Sequence, residues 1–256
     1  MNHLISMRIL LVAACLVISI GLLLVSAEIP GHADSSSSGP IVVELFTSEG
    51  CSSCPPADKL LADLEKRGNV NGRQILVMSE HVDYWDGLGW KDRFSSSVFT
   101  QRQTDYVRKL GLGSPYTPEM VINGQTELIG NDEAALMRGL SEQKVTGSAV
   151  VSLQTDSSKA VVKVQGAKAG SRVLLAITEG KLSTHVQRGE NGGRDLLHTG
   201  VVRRLNDLGE AKKGSFETSV PLKLDSGWRR ENLRVIVLVQ SAPGGPIESA
   251  ASSTLQ

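Results

Sequence analysis

Cys51 and Cys54 are separated by Ser52 and Ser53 and followed by Pro55 and Pro56, a spacing at which two cysteines can cycle between dithiol and disulfide. A disulfide across two residues closes so short a loop that it adds little loop-closure stability, so exchange is a better reason for the pair than stapling. Before it, Ile41 to Phe46 is an apolar, β-branched run of strand type. After it, Ala57, Leu60, Leu61 and Leu64 recur at helical spacing, and Gly68 stands where a left-handed cap is expected. The two prolines take the first turn of that helix, where a missing N–H costs nothing. Both cysteines are therefore expected at a helix N-terminus, whose partial positive charge can bring a cysteine pKa from about 8.5 to between about 3.5 and 7.5. Cys51, the outer one, is expected to attack, and Cys54, one turn in, to resolve the mixed disulfide. A passive disulfide and half of a metal site are the alternatives. A closed zinc site needs four ligands, and the chain holds no second cysteine pair.

The elements that must hold this pair follow in order. Gln74 to Ser79 reads as a second strand, and a strand, helix, strand sequence of this length implies a right-handed parallel crossover. Parallel strands end at the same sheet edge, which brings His81 and Asp83 to the side of Cys51. They could act as a proton acceptor and its orienting partner, or only cap the strand edge and hold a loop. Cys51, Cys54 and His81 together would also suit copper, since thiolate and imidazole are favourable ligands for it. Trp85 and Trp90 read as a local packing cluster.

Residues 96 to 110 are expected to form a helix capped by Ser95 or Ser96 and stopped by Gly111, lying over the domain as an insertion. Thr117-Pro118 then leads into Glu119 to Ile122, Asn123-Gly124 and Gln125 to Ile129, which is a strong hairpin signal because both turn residues take positive φ. Asn131 or Asp132 can cap a last helix containing Leu136, Met137 and Leu140. From about Gly147 helical periodicity gives way to strand-length runs at 149–153, 160–164, 172–178, 216–222 and 233–240. Among them lies the loop Arg188-Gly189-Glu190-Asn191-Gly192-Gly193-Arg194, followed by Asp195 and His198, which either meets a ligand or turns a corner between strands.

The 27 basic and 27 acidic residues cancel, leaving no basic field to gather nucleic acid or anionic lipid. Ile9 to Val25 is almost wholly apolar behind a weakly basic lead, and Val25-Ser26-Ala27 offers small residues to a signal peptidase. Residues 1–27 are thus expected to be a signal peptide carrying Cys15 away. An uncleaved membrane anchor is the alternative. Residues 28–40, with four consecutive serines, read as a flexible leader.

Three blocks together, Phe46 to Asp58, His81 to Asp86 and Tyr116 to Gly124, resemble the secreted, thioredoxin-like domain-of-unknown-function 1223 family, and the Arg188 to Arg194 loop with His198 is similar to that family's C-terminal half. The resemblance implies an α/β fold: a thioredoxin-like domain over 41–146 with a helical insertion, then a mostly antiparallel β-rich domain over 147–256. In a thioredoxin-like order Pro118 is expected in cis beside the dithiol, shaping a peptide-binding edge, with Thr117 next to it; a trans-proline starting an edge strand is the alternative. The Ser-Ser between the cysteines departs from the Gly-Pro of thioredoxins. The expected function is a secreted or periplasmic thiol-disulfide oxidoreductase acting on protein thiols or disulfides through Cys51, Cys54 and Pro118. It would use no cofactor or resident metal, bind no nucleic acid and keep no membrane insertion after signal cleavage. The alternative is a non-enzymatic binding module, copper handling included, with a passive disulfide. Substrate and oligomeric state are not readable from the chain.

Overall fold

The computed structural model describes residues 39–144 and 147–255; the expected signal peptide and most of the leader lie outside them. The first half runs β1 (Ile41–Thr47), α1 (Pro55–Arg67), β2 (Asn69–Val70), β3 (Arg73–His81), α2 (Ser97–Leu110), β4 (Glu119–Ile122), β5 (Thr126–Ile129) and α3 (Glu133–Glu142). The second half is nearly all strand: β6 (Val150–Thr155), β7 (Lys159–Gln165), β8 (Arg172–Glu179), β9 (Leu182–His185), β10 (Asp195–His198), β11 (Val201–Glu210), β12 (Phe216–Pro221), β13 (Leu233–Gln240) and β14 (Ile247–Thr254). A single sheet runs β14-β13-β8-β11-β3-β1-β4-β5, while β12-β7-β6 form a smaller one. Residues from both sides of position 147 thus contribute to one large, mostly antiparallel sheet. The join is a short parallel pairing of β11 on β3 at Val201 and Ser79.

Alternation along the strands decides which layer covers which face. Ile41, Val43 and Leu45 of β1, with Ile75 and Val77 of β3, pack against Ala57, Leu61 and Leu64 of α1 and Leu136 and Leu140 of α3. The intervening Val42, Leu76 and Met78 point the other way, onto Phe99 of α2 and the β8 and β13 residues Leu174, Ala176, Ile236 and Leu238. The opposite face of β8 and β13 buries Val173, Leu175, Val235 and Val237 against Ala160, Val162 and Val164 of β7. These central strands are covered on both faces, so they read as continuous apolar runs. Truncating one such leucine to alanine removes contacts worth about 2–5 kcal/mol.

Local chemistry sets the boundaries. Pro55 and Pro56 open α1 directly after Cys54, and Gly68, at φ 65°, closes it with its N–H on the Leu64 carbonyl. Ser96 caps α2 by accepting from Val98 N, and Asp132 caps α3 by accepting from Ala135 N. Asn123 and Gly124 turn the β4–β5 hairpin at φ 50° and 64°. A Cβ at Gly124 would lie 2.4 Å from the Gly245 carbonyl oxygen, so glycine is required there on two counts.

Four strands of the second half, β9, β10, β11 and β14, have no counterpart in the sequence reading. In β11 the reason is plain. Its residues Arg203, Arg204, Asp207 and Glu210 break any apolar alternation, and its register against β8 shifts between Val202 and Arg204 and between Asp207 and Gly209. Among the described residues no helix is long and apolar enough to cross a membrane.

Candidate functional site

β1 and β3 run parallel with Thr47 opposite His81, so both strands deliver their C-terminal ends to the edge where α1 begins. Cys51 and Cys54 are joined there by a disulfide, their Cα atoms 5.4 Å apart. Cys54 is the residue before α1, and Cys54 N donates to the Cys51 carbonyl, closing the turn. Both cysteines are 0% exposed, whereas Ser52 and Ser53 between them face solvent.

What covers the disulfide segment comes from the far half of the chain. The Arg188 to Arg194 loop joins β9 to β10, and its Asn191 is 1% exposed. The Asn191 side-chain amide donates to the carbonyl oxygens of Glu49 and Cys51, both at 2.9 Å, while its Oδ1 accepts from Arg194 at 3.0 Å. Ser52 N donates to the Glu190 carboxylate at 3.1 Å, and hydrogen bonding from Ser52, side chain first and backbone second, lowers the Glu190 pKa. Gly189, at φ 81°, permits the approach: a Cβ there would fall 3.1 Å from Trp90 Cβ.

Beneath the disulfide segment lies a buried set of ionisable side chains. Asp58, one turn beyond Cys54, accepts from Thr47 Oγ1 at 3.0 Å. His81 Nδ1 lies 2.6 Å from Asp92 Oδ2, and the Asp92 carboxylate also accepts from the backbone N–H groups of Glu49 and Phe94, each at 2.8 Å. His198 Nε2 stands 3.3 Å from Glu49 Oε1, and Trp90 Nε1 donates to Glu49 Oε2 at 2.7 Å. Phe94 presents its ring to both histidines, with centroids 5.3 Å from His81 and 5.4 Å from His198. His81 Nε2 and both ring nitrogens of His198 carry no hydrogen bond among the described residues.

Burial and charge compete in this set. Burial pushes the Asp58 carboxyl up, and the nearby His198 and His81 only partly offset it. Burial works against the His81 charge, but Asp92, with Asp58 and Glu49 adding to it, outweighs burial and the net shift is upward. Asp92 is held below the usual carboxylate range because His81 and two backbone donors overcome its desolvation. The result is a hydrogen-bonded His81–Asp92 pair beside an aspartate whose affinity for a proton is raised by burial.

The residues singled out from sequence fall into two groups. Cys51, Cys54 and His81 belong to the assembly above, but Asp83 is not the partner of His81. Its carboxylate accepts from Thr100 Oγ1 at 2.6 Å on α2, and Asp92 takes the orienting place. The reason is directional: Asp83 lies past the end of β3, where the chain has turned toward α2, whereas Asp92 returns beneath the strand end. The Thr117–Pro118 peptide is cis. Thr117 Oγ1 accepts from Trp85 Nε1 at 2.9 Å, and Pro118 shares an open groove of about 540 Å³ with Ser53, Tyr116 and Glu127. Cys51, Cys54 and His81 do not form a metal-holding set here; among the described residues no group of three or more His, Cys, Asp and Glu side chains is placed to hold a metal ion.

Glu49, Asp58, Asp92 and Asn191 had no assigned role in the sequence reading. Asp58 left a signal: it stands four residues from Cys54 and three from Leu61, on the buried stripe of α1, where a carboxylate costs energy unless it has work or a partner. The other three are fixed by contacts over long sequence separations and left none.

The described chain is a mixed α/β protein in which one large, mostly antiparallel sheet carries a buried Cys-Ser-Ser-Cys disulfide at a helix start. It belongs to the family described as a protein of unknown function, DUF1223, whose model matches residues 42–240. Its structure is similar to that of an Agrobacterium tumefaciens protein solved by X-ray crystallography, with a TM-score of 0.67 and 26% identity over 84% of this chain and 94% of that one. It also shares a fold with HBP35 of Porphyromonas gingivalis, with a TM-score of 0.61 and 17% identity over 85% of this chain and 76% of that one. No curated protein matches the chain.

Proposed function

We propose that the protein is a thiol-disulfide oxidoreductase of thioredoxin-like design, secreted or periplasmic, acting on protein thiols or disulfides. The observation that carries this reading is the Cys51–Cys54 disulfide at the first turn of α1, above Asp58, His81 and Asp92 and beside the groove that Ser53 shares with Pro118. The β1-α1-β3 crossover, the β4–β5 hairpin after the cis-proline and the closing α3 follow the order expected of a thioredoxin-like unit. The apolar leader ending at Val25-Ser26-Ala27 supports export, where disulfides persist.

In the reducing direction the Cys51 thiolate attacks a substrate disulfide, forming a mixed disulfide, and the displaced substrate sulfur leaves with the electron pair and takes up a proton. Cys54, having lost its proton, attacks Cys51 Sγ; the mixed disulfide breaks and the second substrate sulfur leaves as a thiolate that is protonated in turn. Two electrons pass to the substrate and the Cys51–Cys54 bond is formed, while the reverse sequence oxidises a substrate dithiol. Asp58, one turn along the same helix from Cys54 and raised in pKa by burial, suits the role of proton acceptor for Cys54.

A second reading, a binding module with a passive disulfide, is favoured by one observation: both cysteines are fully buried under the Asn191 loop. A redox titration of the mature protein separates the two. Reversible two-electron titration between roughly −270 and −120 mV, with a mixed disulfide trapped on Cys51 in Cys54→Ser, supports the oxidoreductase. A potential below about −300 mV with no trapped adduct supports the scaffold.

A further inference from the structure

On the flank of the same fold, sharing only Phe94 with the buried set beneath the disulfide, lies a cavity of about 330 Å³ between the first turn of α2 and β11. That volume is at the small end of ligand pockets, which run from about 300 to 1,000 Å³. Three guanidinium groups line it, Arg93, Arg203 and Arg204, interleaved with the rings of Phe94 and Trp228. Arg93 lies 4.5 Å from the Phe94 centroid, Arg203 is 5.0 Å from Phe94 and 5.3 Å from Trp228, and Arg204 is 5.2 Å from Trp228. The contacts thus alternate cation and ring from Arg93 to Arg204.

Aromatic faces hold the planar forks in fixed orientations but do not use their N–H donors, of which each guanidinium has five. The protein acceptors supplied to them are few. Arg93 donates to the Ser183 carbonyl at 2.8 Å and Arg204 to the Lys223 carbonyl. Two carboxylates pair with them at the long end of ion-pair range: Glu179 is 3.6 Å from Arg203, and Asp225, which lines the cavity at its exposed rim, 3.8 Å from Arg204. Three cations therefore meet two carboxylates. Arg93 and Arg203 also repel each other, which adds to burial in lowering the Arg203 pKa. An excess of positive charge in a recess with apolar walls from Phe99, Val202 and Leu205 fits a ligand that is an oxyanion at one end and apolar or planar along its body. The first turn of α2, which carries no acidic residue, adds a favourable field.

From this geometry we infer that the cavity between α2 and β11 is a binding site for a small organic anion, its carboxylate or phosphate held by Arg93, Arg203 and Arg204 and its body set against Phe94 and Trp228. Nothing in the inference depends on the disulfide being redox-active.

The test is titration calorimetry on the mature protein with phenyl phosphate, benzoate, inorganic phosphate and, as a cation of similar shape, benzylamine, followed in parallel by Trp fluorescence because Trp228 lines the cavity. One phenyl phosphate per chain is expected, weakening as salt rises, with about tenfold lower affinity for inorganic phosphate and no binding of benzylamine. Benzoate binding in the same way places the recognition in the shared oxyanion; its absence, with phenyl phosphate bound, overturns the carboxylate part. Arg203→Met, which keeps the apolar stem, should weaken phenyl phosphate by about tenfold or more. Arg93→Gln alters an exposed side chain, so folding is preserved and the same direction of loss is expected. Arg108→Gln, on the far turn of α2, should change nothing. Absence of saturable phenyl phosphate binding, or affinity unaltered in both Arg203→Met and Arg93→Gln, overturns the inference.

Discussion

Asn191 donates its side-chain amide to the Cys51 carbonyl oxygen at 2.9 Å across a sequence separation of 140 residues, and to the Glu49 carbonyl at the same distance. The two halves of the chain are therefore clamped together at the disulfide, and a thiol that is to reach Cys51 must first displace this clamp. Two backbone-directed hydrogen bonds contribute about 1–2 kcal/mol net to the closed arrangement. Asn191→Ala should raise the rate of disulfide reduction by dithiothreitol about five- to thirtyfold, with a loss of stability of about 1–2 kcal/mol. Stopped-flow reduction alongside a denaturant melt checks both. An unchanged reduction rate would mean that the loop does not limit access.

The His81–Asp92 pair defines a second expectation. His81 is raised in pKa, so its contribution is complete below the unfolded value near 6.5 and fades as pH rises through the folded one. Asp92 is lowered, so its contribution is present above the unfolded value near 3.8 and fades as pH falls through the folded one. The pair is therefore worth most between those limits. Asp92→Asn removes the charge that holds His81 and weakens acceptance from Glu49 N and Phe94 N, and should cost about 2–4 kcal/mol. Urea melts across pH 4–8 should show the cost largest in the acidic half of that range. A uniform cost would remove the charged pair from the account.

Glu119 follows the opposite logic, for among the described residues no ion pair is made to it. It is fully buried beside Phe46, accepts from Gln103 Nε2 at 2.6 Å, and is pushed by burial to about 7, with Glu127 adding to the rise. A carboxyl raised above its unfolded value near 4.5 stabilises fully below that value and loses the contribution as pH climbs toward 7. The full shift corresponds to about 3 kcal/mol. Glu119→Gln, which can still accept from Gln103, should flatten the stability profile between about pH 4.5 and 7 and melt above wild type at pH 8. A variant profile that keeps the wild-type slope would assign the pH dependence elsewhere.

The amino-acid sequence makes visible the parts of this fold that rest on local rules. Cys51 to Pro56 announces a helix start, Asn123-Gly124 a hairpin and Gly68 a helix end, because each needs a particular dihedral, donor or missing donor within a few residues. β1, β3, β8 and β13 are legible because both faces are buried. β11 is not, since its charged residues serve a half-open strand and the Arg203–Trp228 stacking. The same distinction governs the site. The cysteines can be read from spacing, but the partner of His81 cannot: Asp83 is nearer in sequence, and only the path of the chain between Trp85 and Ser95 decides for Asp92. Asn191 reaches Cys51 through the β9–β10 loop, a contact that no local pattern encodes.

A last expectation concerns the opposite face of the sheet, where Glu44, Glu80, Arg102, Tyr106 and Gln240 are all buried together. Arg102 donates to Glu44 at 2.6 Å, to Tyr106 OH at 3.0 Å and to Gln240 at 3.1 Å, and Tyr106 OH donates to Glu44 at 2.5 Å. One cation faces two carboxylates, and they divide unequally. Glu44 takes the short contact, whereas Glu80 lies 3.4 Å from Arg102 and is driven well above the usual carboxylate range by burial and by Glu44. Glu80 is thus the carboxyl of the two that burial and Glu44 drive toward its protonated form, and Glu80→Gln, which replaces that form by an amide of the same shape, should change stability by less than about 1 kcal/mol at pH 7. Arg102→Met leaves the Glu44 charge buried without its cation and should cost about 3–5 kcal/mol. Adding Glu44→Gln to Arg102→Met should return part of that loss, because the stranded charge is gone. Guanidinium melts of the four proteins decide the matter: equal costs for Glu80→Gln and Arg102→Met would show that Glu80, and not Glu44, carries the negative charge opposite Arg102.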